Sequence, residues 1–125
     1  MAHCMSSSQT VLIVEDEPLI RMTAVDAFEH ASFEVLEAGN ADEAMAILEK
    51  RPDIRALFTD VEMPGTMNGV ALAHASREKH PSIAVIIASG RVTPKTNDLP
   101  QGAKFLGKPY DLGVAVSVVQ GLTDH

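Results

Sequence analysis

Five side chains that could bind ions or transfer groups stand at or just after the ends of short apolar runs in this chain: Glu15, Asp16, Asp60, Ser89 and Lys108. Short apolar runs rich in β-branched residues are typical of buried strands. The carboxyl ends of neighbouring parallel strands lie at one edge of a sheet, where open α/β sheets bind their ligands. If the runs are parallel strands, we expect these five side chains to meet in one place.

Together the five side chains indicate phosphoryl chemistry. Three crowded carboxylates raise one another's pKa values unless a cation lies among them, and an oxygen-only ligand set favours Mg²⁺. The Lys108 ammonium would hold an anion, and the Ser89 hydroxyl would donate a hydrogen bond. An isolated Asp60 would more often simply cap a loop. A metal, a carboxylate, a lysine and a hydroxyl are, however, the groups that phosphoryl transfer uses.

Alternating strand and helix signals predict an α/β fold built from five βα units. The strands are predicted at residues 10–14, 33–38, 56–60, 83–88 and 104–106. Helical spacing predicts helices that begin near Pro18, Asn40, Asn68 and Leu112. This alternation predicts a doubly wound parallel sheet with helices on both faces, and the polar second strand is expected near an edge.

The first and last helices carry specific expectations about which side chains are buried. In the first helix, the residues expected to face the sheet are Ile20, Ala24, Ala27, Phe28 and Ala31. The last helix is apolar nearly all round, and the residues expected to point away from the sheet are Val114 and Val118. Because helices that are apolar on both sides usually pack on something else, we predict a partner contact or homodimer contact on the last helix.

The fourth helix of the repeating pattern is predicted to be weak or absent. Pro94 and Pro100 lie in the connection between the fourth and fifth strands. Each proline removes a backbone donor and disfavours helix in the residue before it. The residues between them are too few to nucleate a helix unaided, so we predict that residues 92–101 lack a stable helix.

Size and composition limit the class of protein. The chain has 125 residues and is 46% hydrophobic, which suits one domain with one core. Its net charge of −7 argues against nucleic acid or an anionic membrane as a direct ligand. The single cysteine, Cys4, and the lack of a long apolar run lead us to expect a cytoplasmic location. We expect residues 1–9 to be a disordered tail or cloning scar, residues 10–122 to form the domain and residues 123–125 to form a second tail.

Four segments, taken in order, resemble the response-regulator receiver domains of two-component signalling: VLIVEDEP, FTDVEMPGTMNG, ASG and GKPY. The resemblance runs from about residue 10 to residue 122 and implies a flavodoxin-like sheet with strand order 2-1-3-4-5. It implies that Asp60 is the phosphoacceptor, that Asp16 binds Mg²⁺ directly and that Glu15 holds the waters of the metal. The backbone carbonyl of Glu62 would be a further metal ligand.

The resemblance also assigns roles around the acceptor. It implies that Ser89 is a switch hydroxyl, that Phe105 is a switch aromatic and that Lys108 acts at the phosphoryl group, next to a cis peptide before Pro109. Side chains two residues beyond the acceptor and two beyond the hydroxyl tend to tune phosphate lifetime in this family. Here they are Glu62 and Arg91, which we expect to meet over the phosphate.

The function implied is a phosphoacceptor that receives its phosphoryl group from a histidine kinase or histidine phosphotransfer protein. It would signal by protein contact or act as a phosphate sink, and it would catalyse only its own phosphorylation and dephosphorylation. The alternative is a small flavodoxin-like hydrolase or phosphatase in which Asp60 is the nucleophile and Glu62, two residues on, is the second acid. Stable mass addition from acetyl phosphate would favour the acceptor, and rapid turnover would favour the hydrolase.

Overall fold

Aliphatic runs form the strands of the protein, and stretches with helical spacing form its helices. A computed structural model describes residues 9–62, 67–90 and 98–123. The strands are β1 (Thr10–Val14), β2 (Glu34–Ala38), β3 (Ile54–Asp60), β4 (Ala84–Ser89) and β5 (Lys104–Gly107). The helices are α1 (Pro18–His30), α2 (Ala41–Lys50), α3 (Gly69–Lys79) and α4 (Leu112–Thr123).

The five strands form one parallel sheet in the order β2-β1-β3-β4-β5. This confirms the predicted α/β architecture, the strand order and the place of β2 at an edge. The register pairs Val14 with Thr59 and Asp60 with Ala88. The carboxyl ends of β1, β3 and β4 therefore lie side by side, which is what brings the residues that follow them together.

The sheet has a separate hydrophobic core on each face. The core that includes residues of α2 and α3 is aliphatic and centres on buried residues such as Leu12, Leu48 and Leu72. The core that includes residues of α1 and α4 contains the aromatic contacts. There Phe28 is fully buried, and its ring centroid lies 5.8 Å from that of Phe58. Alternate residues of each central strand feed the two cores, as expected of strands covered on both sides.

Side-chain caps fix where three of the helices begin. The Asn40 side chain accepts a hydrogen bond from the Glu43 amide at 2.9 Å, and the Asn68 side chain caps α3 with the same geometry. The Asp111 carboxylate accepts from the Gly113 amide at 2.7 Å. Each cap satisfies amides that have no partner within the helix. The three helices therefore begin where the sequence predicted, near Asn40, Asn68 and Leu112.

One side-chain expectation held only in part, and another was wrong. Ile20 lines a small cavity together with residues of β1 and β3, but it is 45% exposed because it lies in the first turn of α1, beside a surface groove. Val118 packs partly against the core shared by α1 and α4 rather than pointing away. The reason is that α4 contacts α1 as well as the sheet, so a second side of the helix is covered. Val114 is 51% exposed, as expected.

The residue before β1 meets the last described residue of α4. The Gln9 carbonyl accepts a hydrogen bond from the Glu34 amide at 2.9 Å, which ties Gln9 to the start of β2. The Gln9 side-chain amide donates to the Thr123 carbonyl at 3.5 Å. In the described ranges, no helix is long and apolar enough to cross a membrane.

The predictions about residues 1–8 and about residues 91–97 fall outside the residues that the structure describes. The expected absence of a fourth helix at 92–101 therefore stays a prediction for most of that segment. At its described end Asp98 has 3₁₀-helical conformation, Gln101 and Gly102 form a turn, and Gly102 has a φ of 80°. A positive φ of this size favours glycine, because a side chain would be strained there.

Candidate functional site

Asp60 is a buried carboxylate with one oxygen held and one oxygen unpaired. It is the last residue of β3 and is 6% exposed. Its Oδ2 accepts a hydrogen bond from Lys108 Nζ at 2.7 Å. Its Oδ1 is buried and has no hydrogen-bond partner within the described parts of the chain. An unpaired buried oxygen is costly, so this atom marks a place where a ligand would gain binding energy.

Two further acids stand beside Asp60 because β1 is its neighbour in the sheet. Oxygens of Glu15, Asp16 and Asp60 lie within 4.8 Å of one another. Glu15 is buried and its Oε1 lies 3.8 Å from Lys108 Nζ, while Asp16 is exposed. The structure thus brings these acids and the lysine together at the carboxyl edge of the sheet, as predicted.

The electrostatics of the group favour an added positive charge. Burial raises the pKa of Glu15, and the charge of Asp60 raises it further, while the Glu17 amide and Lys108 oppose this only in part. Burial by itself would lower the pKa of Lys108, but the hydrogen bond and charge of Asp60, together with Glu15, leave that pKa raised. The Lys108 ammonium thus pairs with two of the three clustered carboxylates, and among the described residues the cluster has more acids than cations.

The donor set fits a small hard cation. All three carboxylates offer oxygen, the ligand atom that Mg²⁺ prefers, and one of those oxygens is the unpaired Asp60 Oδ1. Asp16 is exposed, so this side of the cluster faces solvent, which can supply the waters that Mg²⁺ usually retains. The residues present therefore fit the group that the sequence predicted.

Ser89 borders the site from β4 and is committed to a partner. Its hydroxyl donates a hydrogen bond to the Glu62 carboxylate, and its carbonyl accepts from the Lys108 amide at 2.9 Å. The second bond connects the end of β4 to the residue that carries the site lysine. Ser89 is therefore adjacent to Asp60 as predicted, and the Glu62 side chain lies against it. Arg91, the expected partner of Glu62, lies outside the described residues.

The remaining predicted residues lie at the edge of the site. Phe105 is half-buried on β5, where it pairs with Ile87. The peptide between Lys108 and Pro109 is cis, as the resemblance to receiver domains implied. Tyr110, which follows, packs against Phe58 with a ring-centroid distance of 5.6 Å and lines a small cavity beside Asp60.

Comparison with known proteins identifies the family. Residues 11–120 match the model of the response regulator receiver domain. The chain belongs to the response regulator receiver domain family. The chain is 36% identical over 124 residues to the sensor kinase CckA of Brucella abortus, an alignment that covers 96% of this chain and 13% of that protein. It is 34% identical over 119 residues to the DNA-binding transcriptional regulator NtrC of Salmonella typhimurium, covering 92% of this chain and 25% of that protein.

Solved receiver domains have the same architecture. The crystal structure of the receiver domain from the hybrid histidine kinase CckA aligns with a TM-score of 0.79 at 31% identity, covering 91% of this chain and 98% of that one. A response regulator receiver protein from Sinorhizobium medicae aligns with a TM-score of 0.89 at 20% identity, covering 94% of this chain and 96% of that one. The receiver domain spans a quarter or less of the two curated relatives named above.

Sequence reasoning missed two residues that shape the site of this receiver domain. A Cβ on Gly69 would lie 2.0 Å from the Asp60 carbonyl oxygen, so only glycine allows α3 to begin against the backbone of β3. Arg21 donates a hydrogen bond to the Glu15 carbonyl at 2.7 Å. Both act on backbone atoms of the site, nine and six residues away along the chain. The Asn-Gly pair at the start of α3 was a usable signal, but nothing in the sequence marked Arg21.

Proposed function

We propose that this receiver domain accepts a phosphoryl group on Asp60 from a histidine kinase or a histidine phosphotransfer protein. The observation that carries the proposal is the state of the Asp60 carboxylate, with Oδ2 on Lys108 and Oδ1 buried and unpaired among the described residues. A carboxylate oxygen attacks phosphorus, the new P–O bond forms, and the bond to the donor breaks with its electron pair leaving on the donor. The product is an aspartyl phosphate.

The acids beside Asp60 would hold Mg²⁺ during this step. Asp16 and Asp60 would be direct ligands, Glu15 would hold water, and the backbone carbonyl of Glu62 would be a further ligand. The bound ion would supply positive charge to the phosphoryl oxygens. The fit rests on the oxygen-only donor set and on the shortage of cations in the group.

Lys108 and Ser89 would act on the phosphoryl group once it is attached. The Lys108 ammonium is fixed at the Asp60 carboxylate by a 2.7 Å hydrogen bond, so it is placed to hold an added anion. The Ser89 hydroxyl lies at the end of the neighbouring strand and would donate to a phosphoryl oxygen. Phe105, on the next strand, would change position with it. Phosphorylation of Asp60 would in this way change the positions of side chains on β4 and β5.

The output would be contact with another protein or storage of phosphate. The relatives named above are a sensor kinase and a transcriptional regulator, and this chain aligns with only part of each. The sensor kinase supports a phosphodonor of the histidine kinase type, because part of that protein aligns with this receiver domain. Catalysis would be limited to the gain and loss of the domain's own phosphoryl group.

Acetyl phosphate labelling in the presence of Mg²⁺ tests the proposal. The wild-type chain should gain the mass of one phosphoryl group, and Asp60→Asn should gain none, because the amide is a poor nucleophile. Asp26→Asn, which changes an exposed acid on α1, is the matched control and should be labelled like the wild type. Wild-type labelling of Asp60→Asn would refute the assignment. Rapid release of phosphate over many turnovers would favour the hydrolase instead.

A further inference from the structure

The turn between β1 and α1 carries two of the three clustered acids, and one arginine holds its backbone from outside. Arg21 Nη1 donates to the Glu15 carbonyl at 2.7 Å, and Arg21 Nε donates to the Glu37 carboxylate at 3.0 Å. The Arg21 side chain is 23% exposed. The guanidinium therefore joins the acidic turn to β2, the edge strand.

The surroundings of Arg21 leave its guanidinium little freedom. A Cβ built on Gly39 would lie 3.3 Å from Nη1, so the guanidinium packs closely over the end of β2. The Glu15 amide donates to the Ala38 carbonyl at 3.1 Å beside it. The Glu15 carboxylate in turn accepts from the Glu17 amide at 3.0 Å. Arg21 thus belongs to a set of hydrogen bonds that fixes the backbone and carboxylate of Glu15, and Asp16 is the next residue of the same turn.

We propose that Arg21 is a positioning residue for the cation site and sets its affinity for Mg²⁺. The inference rests on the proposed function, because it needs the acid cluster to bind that ion. Arginine suits the task because its planar fork donates in fixed directions to two acceptors, whereas the lysine ammonium is a point charge whose donors rotate freely. Partners that orient metal ligands from outside the coordination shell commonly change metal affinity by about 10- to 100-fold when removed.

The sign of the effect separates positioning from simple electrostatics. Arg21 is positively charged, so by charge alone its removal would tighten the binding of a cation. If Arg21 positions the turn, its removal weakens binding in spite of the lost repulsion. Lysine at this position keeps the charge and loses the fork, so it weakens binding only if the geometry matters.

Calorimetric titration of the full chain with Mg²⁺ tests the proposal. Arg21→Met should weaken binding about tenfold, and Arg21→Lys should weaken it by a smaller factor. Arg51→Met is the matched control, because Arg51 also binds a glutamate of β2, Glu34, at 3.2 Å, but at the other end of that strand. That control should bind Mg²⁺ like the wild type at a temperature where thermal melts show all the variants folded.

Each other outcome overturns a defined claim. Equal or tighter binding by Arg21→Met, with Arg21→Lys like the wild type, would overturn the positioning role and leave the Asp60 proposal standing. Equal weakening in Arg51→Met would mean that any loss of a β2 ion pair has this effect, which also overturns it. A wild-type chain that takes up no Mg²⁺ would overturn both this inference and the proposed metal site. Whether Asp60 accepts a phosphoryl group would then be decided by the acetyl phosphate labelling described above. If Arg21→Met fails to fold, Arg21→Lys alone decides the outcome.

Discussion

At the scale of single residues, the hydrogen bond between Ser89 and Glu62 sets a competition for one proton. Ser89 is buried, and its hydroxyl donates to the Glu62 carboxylate. A hydroxyl has one hydrogen to donate. Any phosphoryl oxygen that binds this hydroxyl must therefore displace Glu62, and the lost bond reduces the stability of the phosphorylated state.

Glu62→Ala should accordingly favour the phosphorylated state. We expect the affinity for a phosphoryl analogue such as beryllium trifluoride to rise about fivefold, a change comparable to one net hydrogen bond. Glu62→Gln separates the charge from the hydrogen bond, because glutamine retains an acceptor. The measurement is a binding titration in Mg²⁺. In a Ser89→Ala background the gain from Glu62→Ala should largely vanish. A gain of equal size in both backgrounds would contradict the competition.

At the scale of elements, the predicted strands and helices were recovered because periodicity and caps carry that information. Asp60 at the end of β3 was predictable because parallel strands end at a common edge. The pattern of one helix, however, does not tell which other elements cover it. Val118 packs partly against the core shared by α1 and α4, and Ile20 is 45% exposed beside a surface groove, and the spacing of apolar residues predicted neither. Contacts between elements decide such cases.

The start of α3 is an element whose position depends on one missing side chain. Gly69 donates a hydrogen bond from its amide to the Val61 carbonyl at 3.0 Å, and a Cβ there would clash with the Asp60 backbone. Gly69→Ala should lower the free energy of unfolding by about 3 kcal/mol, because a packed backbone must move to admit the methyl group. Urea unfolding measures this.

Gly121→Ala in α4 is the control for glycine replacement itself. A Cβ on Gly121 would meet nothing within 4 Å. Because alanine favours helix over glycine, this variant should gain up to about 1 kcal/mol. Opposite signs for the two variants are expected. If Gly69→Ala is as stable as the wild type, the start of α3 does not lie as close to the Asp60 backbone as described.

At the scale of the whole molecule, the sheet separates an aliphatic core from one that contains aromatic rings, and the aromatic side reaches the site. Rings of Phe33, Phe28, Phe58 and Tyr110 contact one another in succession. The last of these rings lines the cavity beside Asp60. An aromatic content of 4% indicates a mainly aliphatic core. It does not predict that the few aromatic rings gather on one face, because that depends on which alternate residue of each strand faces α1 and α4.

The single tyrosine gives a direct test of this arrangement. Burial raises the pKa of Tyr110, with smaller contributions from Glu15 and Asp60 that Lys108 opposes. The ordinary value is 10.0, so the absorbance titration should have its midpoint above pH 10. Since the chain has no tryptophan, the signal belongs to Tyr110. A midpoint at or below 10 would mean that the ring is not buried as described.

The same shift makes the stability of the folded chain depend on pH. The native state keeps the Tyr110 proton to a higher pH than the unfolded state does, so the free energy of unfolding falls as pH rises above 10. Below that range the contribution is fully present. In Tyr110→Phe this part of the alkaline decline should disappear, although Lys108 still contributes its own. The slope of stability against pH in the two chains measures the difference.

Because Gln9 contacts Thr123, the order of the strands and helices along the polypeptide can be changed by circular permutation. Gln9 is tied to the start of β2 and touches the last described residue of α4, so both residues lie at the amino ends of the strands. Asp60 lies at the opposite edge. A short peptide joining these two residues would close the chain into a ring without stretching it. Such a ring could be reopened at an exposed loop on the amino edge to give a circular permutant whose new ends stay away from the acidic pocket.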